Sequence, residues 1–333
     1  MEERKNVKLT SAEVSFLWST YVADSMSICV FKFFLEHIED EKIKALVTHA
    51  LDLSQQHVEI IQGVFIDENI PIPQGFTEKD VNLNSRRLFS DSFYLYYIKH
   101  MSKGGLATYA RTVPTVFRRD ILSFYSNCLQ STLELNNEAT TILLEKGLAI
   151  RPPYIPYPKK VQFVQKQSFM LEGLGKRPLS GIEITNLYNN IQTNRLGTSL
   201  ATAFSQTGQS EKIRDYFLRG KDMSLKHMDI FGDYLTMNSL PIPMSFDQEV
   251  EKTKESPFSD KLMMYHFSLM IYAGIGNYGA AISESQRSDL AIDYSRLLVE
   301  VLKFAEDGVN ILIENQWLEQ PPLAADREEL AKE

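Results

Sequence analysis

An all-α fold of two tandem, homologous four-helix bundles follows from three features of this 333-residue sequence. The chain repeats itself at an offset of 170 residues, the apolar residues of each repeat recur at helical spacing, and each repeat has one long central connection. With 44% hydrophobic residues, 16 Gly and 13 Pro, the composition excludes disordered and collagen-like classes. It leaves room for two cores of about 150 residues each.

The repeat is read position by position. Glu13 matches Glu183, Leu17 matches Leu187, Glu41-Lys42-Ile43 matches Glu211-Lys212-Ile213, and Asp52, Ser54 and His57 match Asp222, Ser224 and His227. Pro71-Ile72-Pro73 recurs as Pro241-Ile242-Pro243. After a one-residue deletion, Phe89-Ser90-Asp91 matches Phe258-Ser259-Asp260. Tyr96, Gly105, Tyr109, Arg118, Asp120, Tyr125 and Pro152-Pro153 then match Tyr265, Gly274, Tyr278, Arg287, Asp289, Tyr294 and Pro321-Pro322.

Within the first copy, Val14, Leu17, Tyr21, Asp24, Ile28, Phe31 and Leu35 step by three and four, which keeps them on one helical face and predicts a helix over 11–37. The stripe from Ile43 to Val64 predicts a second helix over 41–67, joined to the first by a short turn at Asp40 and therefore antiparallel to it. About twenty residues containing Pro71 and Pro73 follow, enough at ~3.3 Å per residue to run the length of a bundle. Phe89, Phe93, Tyr96 and His100 predict a third helix over 88–103, and Gly104 and Gly105 a connection to a fourth over 117–146. The second copy predicts helices over 181–207, 210–238, 257–273 and 285–315. The long connection suits a ferritin-like crossover and leaves simple up-down-up-down topology open. The expected layout is a first bundle at 1–150, a Pro-rich linker at 151–178 with a short helical piece near 161–171, a second bundle at 179–325 and an acidic tail at 326–333.

A net charge of −8 argues against nucleic acid, which needs clustered Lys and Arg. Two cysteines, Cys29 and Cys128, suit a reducing compartment, and neither recurs in the other copy. The sequence predicts no apolar run near the ~20 residues that span a bilayer, and so a soluble cytoplasmic protein.

Both copies, over residues 9–325, resemble the bacillus-type family of domain of unknown function 3231. The resemblance rests on two bundle-length repeats, each with a Pro-Ile-Pro turn after a His-bearing second helix and Pro-Pro after the fourth. Its members are similar to ferritin-like bundles and to the spore coat protein F group. The resemblance implies spore association and nothing about activity.

The candidate site lies where polar residues fall on core stripes, because a buried polar group needs a partner. His57 and His227 sit mid-helix, each with a serine three residues earlier, Ser54 and Ser224. Asp24 stands on the first helix at a height comparable with His57, and its counterpart is Asn194. His100, Tyr96 and Tyr125 add polar groups to the first core, Tyr265 and Tyr294 to the second. One reading is a metal centre of iron or zinc around Asp24, His57 and His100, with His227 in the second copy. A di-iron oxidase is disfavoured, because such centres use Glu-x-x-His pairs and Ser54 and Ser224 stand where Glu is required. The other reading is a satisfied hydrogen-bond network with no cofactor.

The remaining motifs have structural readings. Gly274-Ile275-Gly276-Asn277-Tyr278-Gly279 matches a dinucleotide fingerprint on paper, but no strand precedes it, and it is expected to join two helices. Glu13 and Glu183 suit capping, Asp120 and Asp289 the start of helix four, and Arg118 and Arg287 ion pairs with neighbouring helices. The aromatic run Phe93–Tyr97 suits core and interface packing. The sequence therefore favours a non-enzymatic role in assembly with itself or other proteins, with an atypical metal-binding bundle as the alternative.

Overall fold

The computed structural model describes residues 7–171, 177–243 and 249–327. The first copy contains α1 (Ser11–Leu35), α2 (Glu41–Asp67), α3 (Asp91–Thr112) and α4 (Arg119–Glu145). A single helical turn, α5 (Ser168–Leu171), lies in the linker. The second copy contains α6 (Gly181–Thr207), α7 (Glu211–Met237), α8 (Asp260–Glu284) and α9 (Ser288–Glu314). Each long helix of one copy matches its counterpart at the offset of the repeat.

Local chemistry sets the ends. Thr10 and Ser180 open α1 and α6 with capping boxes to Glu13 and Glu183, while Asp40, Ser90, Ser210 and Ser259 cap the next four starts with side-chain oxygens. α2, α7, α4 and α9 end alike, with positive φ at Asn69, Ser239, Gly147 and Gln316. The following amide bonds back five residues in each case, as in Ile70 to Phe65 and Leu240 to Leu235.

The caps also reveal helix direction. Asp91, at the start of α3, accepts from the amides of Glu39 (3.1 Å) and Asp40 (2.7 Å), so α3 begins where α2 begins and runs parallel to it. Arg118, before α4, reaches Glu68 at the end of α2, and Lys146, after α4, reaches Asp40 at its start. α4 is therefore antiparallel to α2. The chain must cross the length of the bundle between α2 and α3, so up-down-up-down topology is excluded and the one-crossover connection holds.

Three sequence expectations need correction. α3 continues through Gly104 and Gly105 to Thr112, because a close approach to α4 suits glycine there: a Cβ on Gly105 would lie 3.1 Å from the Thr132 methyl. Likewise, the Gly274–Gly279 run lies inside α8, where packing on α9 and α6 holds the helix, and is no connection. The helical piece in the linker shrinks to α5, and most of the acidic tail lies outside the described residues. A fourth point concerns membranes: α1 contains a window of mean hydropathy 1.3, long and apolar enough to cross a bilayer. Half of that window is buried within the protein, and the helix carries Glu13 and Asp24, as suits an inner bundle helix packed on more than one face.

The two crossovers meet each other. Val81 pairs with Phe258 and Phe89 with Val250 in short antiparallel bridges. The amide of Asn82 donates to Pro257 and that of Glu251 to Leu88, while Ser90 donates to Glu249 and Ser259 to Asp80. These contacts come in pairs related by the repeat, so the copies are arranged about a pseudo-two-fold axis. Tyr97 and His266, which hold matching places, meet on it with the hydroxyl 2.8 Å from Nε2. Phe33 against Phe258 and Phe76 against Tyr265 pack the seam with aromatic rings.

Candidate functional site

In the first bundle, α1 and α2 pack so that Asp24 faces Ser54 and His57. One carboxylate oxygen accepts from the Ser54 hydroxyl at 3.0 Å, and the other lies 3.0 Å from His57 Nδ1. Ser54 and His57 are buried. The carboxylate thereby selects the tautomer with a proton on Nδ1. The imidazole sits edge-on to Tyr109 and Phe124, at centroid distances of 6.2 and 5.7 Å, so its orientation is held on both sides. Burial, reinforced by the Asp24 charge, pushes the Tyr109 hydroxyl and the Cys128 thiol well above their usual ranges. Burial also pushes Cys29 up to about 12. Neither cysteine is an activated thiolate.

The second bundle solves the same position differently. Asn194 donates to the Tyr278 hydroxyl at 2.9 Å and to the Asn190 carbonyl at 2.8 Å. Tyr278 in turn lies 2.9 Å from His227 Nδ1, so a tyrosine stands between the residues corresponding to Asp24 and His57. His227 Nε2 is 3.4 Å from Glu300, which Lys226 also holds at 2.7 Å. Burial lowers the His227 pKa, and the Glu300 carboxylate offsets only part of that effect. Ser224, Asn194 and Tyr278 line a cavity of ≈ 40 Å³.

The other sequence candidates are placed as follows. Tyr96 donates to the Leu148 carbonyl at 2.7 Å, and Tyr125 lies 3.3 Å from Thr20. Tyr294 accepts from Asn190 at 3.3 Å, the matching contact in the second copy. Tyr265 reaches across the seam, where burial raises its pKa with the Asp24 charge contributing second. His100 stands outside the hydrogen-bonded group of Asp24, Ser54 and His57. Burial and the nearby Lys103 push its pKa down to about 3. Among the described residues, no three His, Cys, Asp or Glu side chains form a group that could hold a metal ion. Asp24 and His57 supply two ligands where zinc or iron sites use at least three protein donors.

Several structural roles exceed what the sequence suggested. Glu13 caps α1 and also accepts from the amides of Phe117 (2.9 Å) and Arg118 (2.7 Å), tying α1 to the start of α4. Glu183 repeats this with Gln286 and Arg287 and adds Arg177 at 2.8 Å. Burial raises both carboxyl pKa values, but these donors outweigh it and leave both below the usual range. Arg118 and Arg287 clasp Asp120 and Asp289 with two bonds each. The roles of Tyr109 and Tyr278 were signalled by their recurrence in the repeat. Glu300 has no such signal, because Ser131 holds the matching place.

Fold and site together define a tandem four-helix-bundle protein with a hydrogen-bonded polar cluster in each core. The chain belongs to the family described as "Protein of unknown function (DUF3231)", whose profile matches residues 2–161 and again 168–330. A solved structure described as a "putative spore coat protein" from Bacillus halodurans C-125 is similar at 18% identity. It covers 45% of this chain and 98% of its own, with a TM-score of 0.41. No curated protein matches the chain.

Proposed function

We propose that the protein has a structural or protein-interaction role, in which two bundles locked about a pseudo-two-fold axis form a rigid body that presents its surface to partners. The observation that carries this reading is the way the core polar groups close on one another. Asp24 takes up both Ser54 and His57, and Tyr278 takes up both Asn194 and His227. Such networks rigidify a core and specify one packing. The family resemblance adds a spore or stress setting to the proposal, checked by following the protein's abundance through sporulation in its source organism.

The alternative is an iron or zinc site at Asp24 and His57. Elemental analysis of protein purified without a metal-affinity tag separates the two readings. The structural reading expects no stoichiometric metal, and expects His57→Ala to lose thermal stability alone. Stoichiometric metal in the wild type that His57→Ala abolishes would establish the alternative.

A further inference from the structure

The cavity of ≈ 40 Å³ in the second bundle is lined from all four helices, and three matched positions show how the first bundle closes the same place. Gly197 on α6 stands where α1 has Ser27, whose side chain takes up the space and donates to the Ala23 carbonyl at 3.0 Å. Gly105 on α3 is met by the Thr132 methyl, 3.1 Å from where a Cβ would lie. Its counterpart on α8, Gly274, has nothing within 4 Å, and Val301 stands where α4 has Thr132. Ser54 donates to Asp24 at 3.0 Å. Its counterpart Ser224 lines the cavity, is 6% exposed, and meets no hydrogen-bond partner among the described residues. A void and an orphaned hydroxyl therefore coincide in one copy and in neither form in the other.

The chemistry of the walls selects what fits. Met223, Met270, Ile271 and Val301 make most of the lining apolar, while Ser224 and Asn194 form a polar end. Asn194 has both amide hydrogens committed, to the Asn190 carbonyl and the Tyr278 hydroxyl. A ligand thus finds the Asn194 carbonyl oxygen as acceptor and the Ser224 hydroxyl as donor. None of the lining side chains is charged, so an ion would be desolvated with no partner, and the fitting molecule is neutral. The volume is at least about three times the ~10–15 Å³ that one water needs, and each enclosed water seeks about three hydrogen bonds. Two free polar atoms serve one polar group, and the remaining space is apolar. Met223 and Gly274 are only half-buried, which places the mouth of the cavity at the surface, and the flexible methionine stems let its walls adjust.

We propose that this cavity binds a small neutral alcohol, with one hydroxyl group on a compact apolar body and about three to five non-hydrogen atoms in all. The hydroxyl accepts from Ser224 and donates to Asn194, and the body lies against the methionine walls. The site belongs to the second copy alone, and it neither requires nor excludes the structural role proposed above.

The test is a titration of the full chain, isotopically labelled at the methionine methyls for NMR, with n-propanol and in parallel with ethyl methyl ether. The ether has as many non-hydrogen atoms and no hydroxyl proton. The Met223 and Met270 resonances, assigned with Met223→Leu and Met270→Leu, are expected to shift to saturation with a dissociation constant between about 0.1 and 10 mM, the range open to so small a ligand. The ether is expected to bind at least about fivefold more weakly, the value of one hydrogen bond. Ser224→Ala is expected to remove that preference. Gly197→Ser installs the residue of the first copy, and its Cβ would lie 3.6 Å from the Ser224 hydroxyl, an ordinary contact that keeps the fold. Circular dichroism checks this, and the saturable shifts are expected to vanish. A wild type that shows no saturation overturns the proposal and assigns the cavity to ordered water. Binding that Gly197→Ser leaves intact overturns it by placing the alcohol elsewhere. Equal binding of the two probes, unchanged by Ser224→Ala, overturns the recognition of the hydroxyl.

Discussion

The two bundles share helix lengths, caps and crossovers, yet their cores handle one position in opposite ways. In the first, Asp24 grips His57 directly and Ser54 completes the carboxylate's bonding. In the second, Asn194 cannot offer a charge, Tyr278 bridges to His227, and the imidazole turns its other nitrogen to Glu300. Two differences between the copies, Asn194 in place of Asp24 and Glu300 in place of Ser131, put the ionic partner of the histidine on α1 in the first bundle and on α9 in the second. The scaffold kept its geometry because packing, not this polar group, positions the helices. A duplicated bundle can therefore change the electrostatics of its core without changing its fold.

Exchanging the two solutions tests this most severely. Asn194→Asp places a carboxylate beside the Asn190 carbonyl, with His227 already committed to Tyr278. It should destabilise the protein by about 3 kcal/mol in urea unfolding. A loss below 1 kcal/mol would mean that the second core repacks freely into the first arrangement.

The histidines on the seam and in the second core come next. Burial pushes His266 down to about 3 and also lowers His227. The unfolded chain therefore binds more protons below the ordinary histidine pKa near 6.5, so stability must fall as pH drops. His266 alone should cost on the order of 2 kcal/mol between pH 7 and 5. His266→Gln should flatten that slope, measured as unfolding midpoints across the range. Below about pH 4.5, Glu13 and Glu183, whose carboxyl pKa values are depressed, add a second loss as they protonate.

The converse exchange should be milder. Asp24→Asn retains an oxygen acceptor for one of its two donors, and should cost about 1.5 kcal/mol. The smallest contrast is the sharpest. Tyr278→Phe removes the hydroxyl that joins Asn194 to His227 and should cost about 1 kcal/mol, whereas Tyr109→Phe, whose ring rather than hydroxyl meets His57, should cost under about 0.5 kcal/mol. Equal losses in the two variants would erase the distinction between the bundles.

Much of this was legible in the residues. The stripe positions of Asp24 and His57 placed them on facing helices, and helix rise placed them at similar heights. Tyr278 was visible as a repeated residue, but its bridging role was not, because hydrogen bonding between helices depends on rotation about their axes. The glycines misled for a related reason. Gly105 and the Gly274–Gly279 run look like breaks by propensity, and packing holds them in helices.

By itself the sequence determined the class: a duplication, eight long amphipathic helices with capping glutamates at the start of the first helix in each copy, and a crossover long enough to span each bundle. Those follow from spacing along the chain, where chemistry acts between residues three or four apart. Only the tertiary structure decided how the copies join. Tyr97 meeting His266, Val81 meeting Phe258 and the swap of partner between Asp24 and Glu300 bring together residues far apart in sequence. Which of them meet is settled by how whole helices pack, a property that no local pattern encodes.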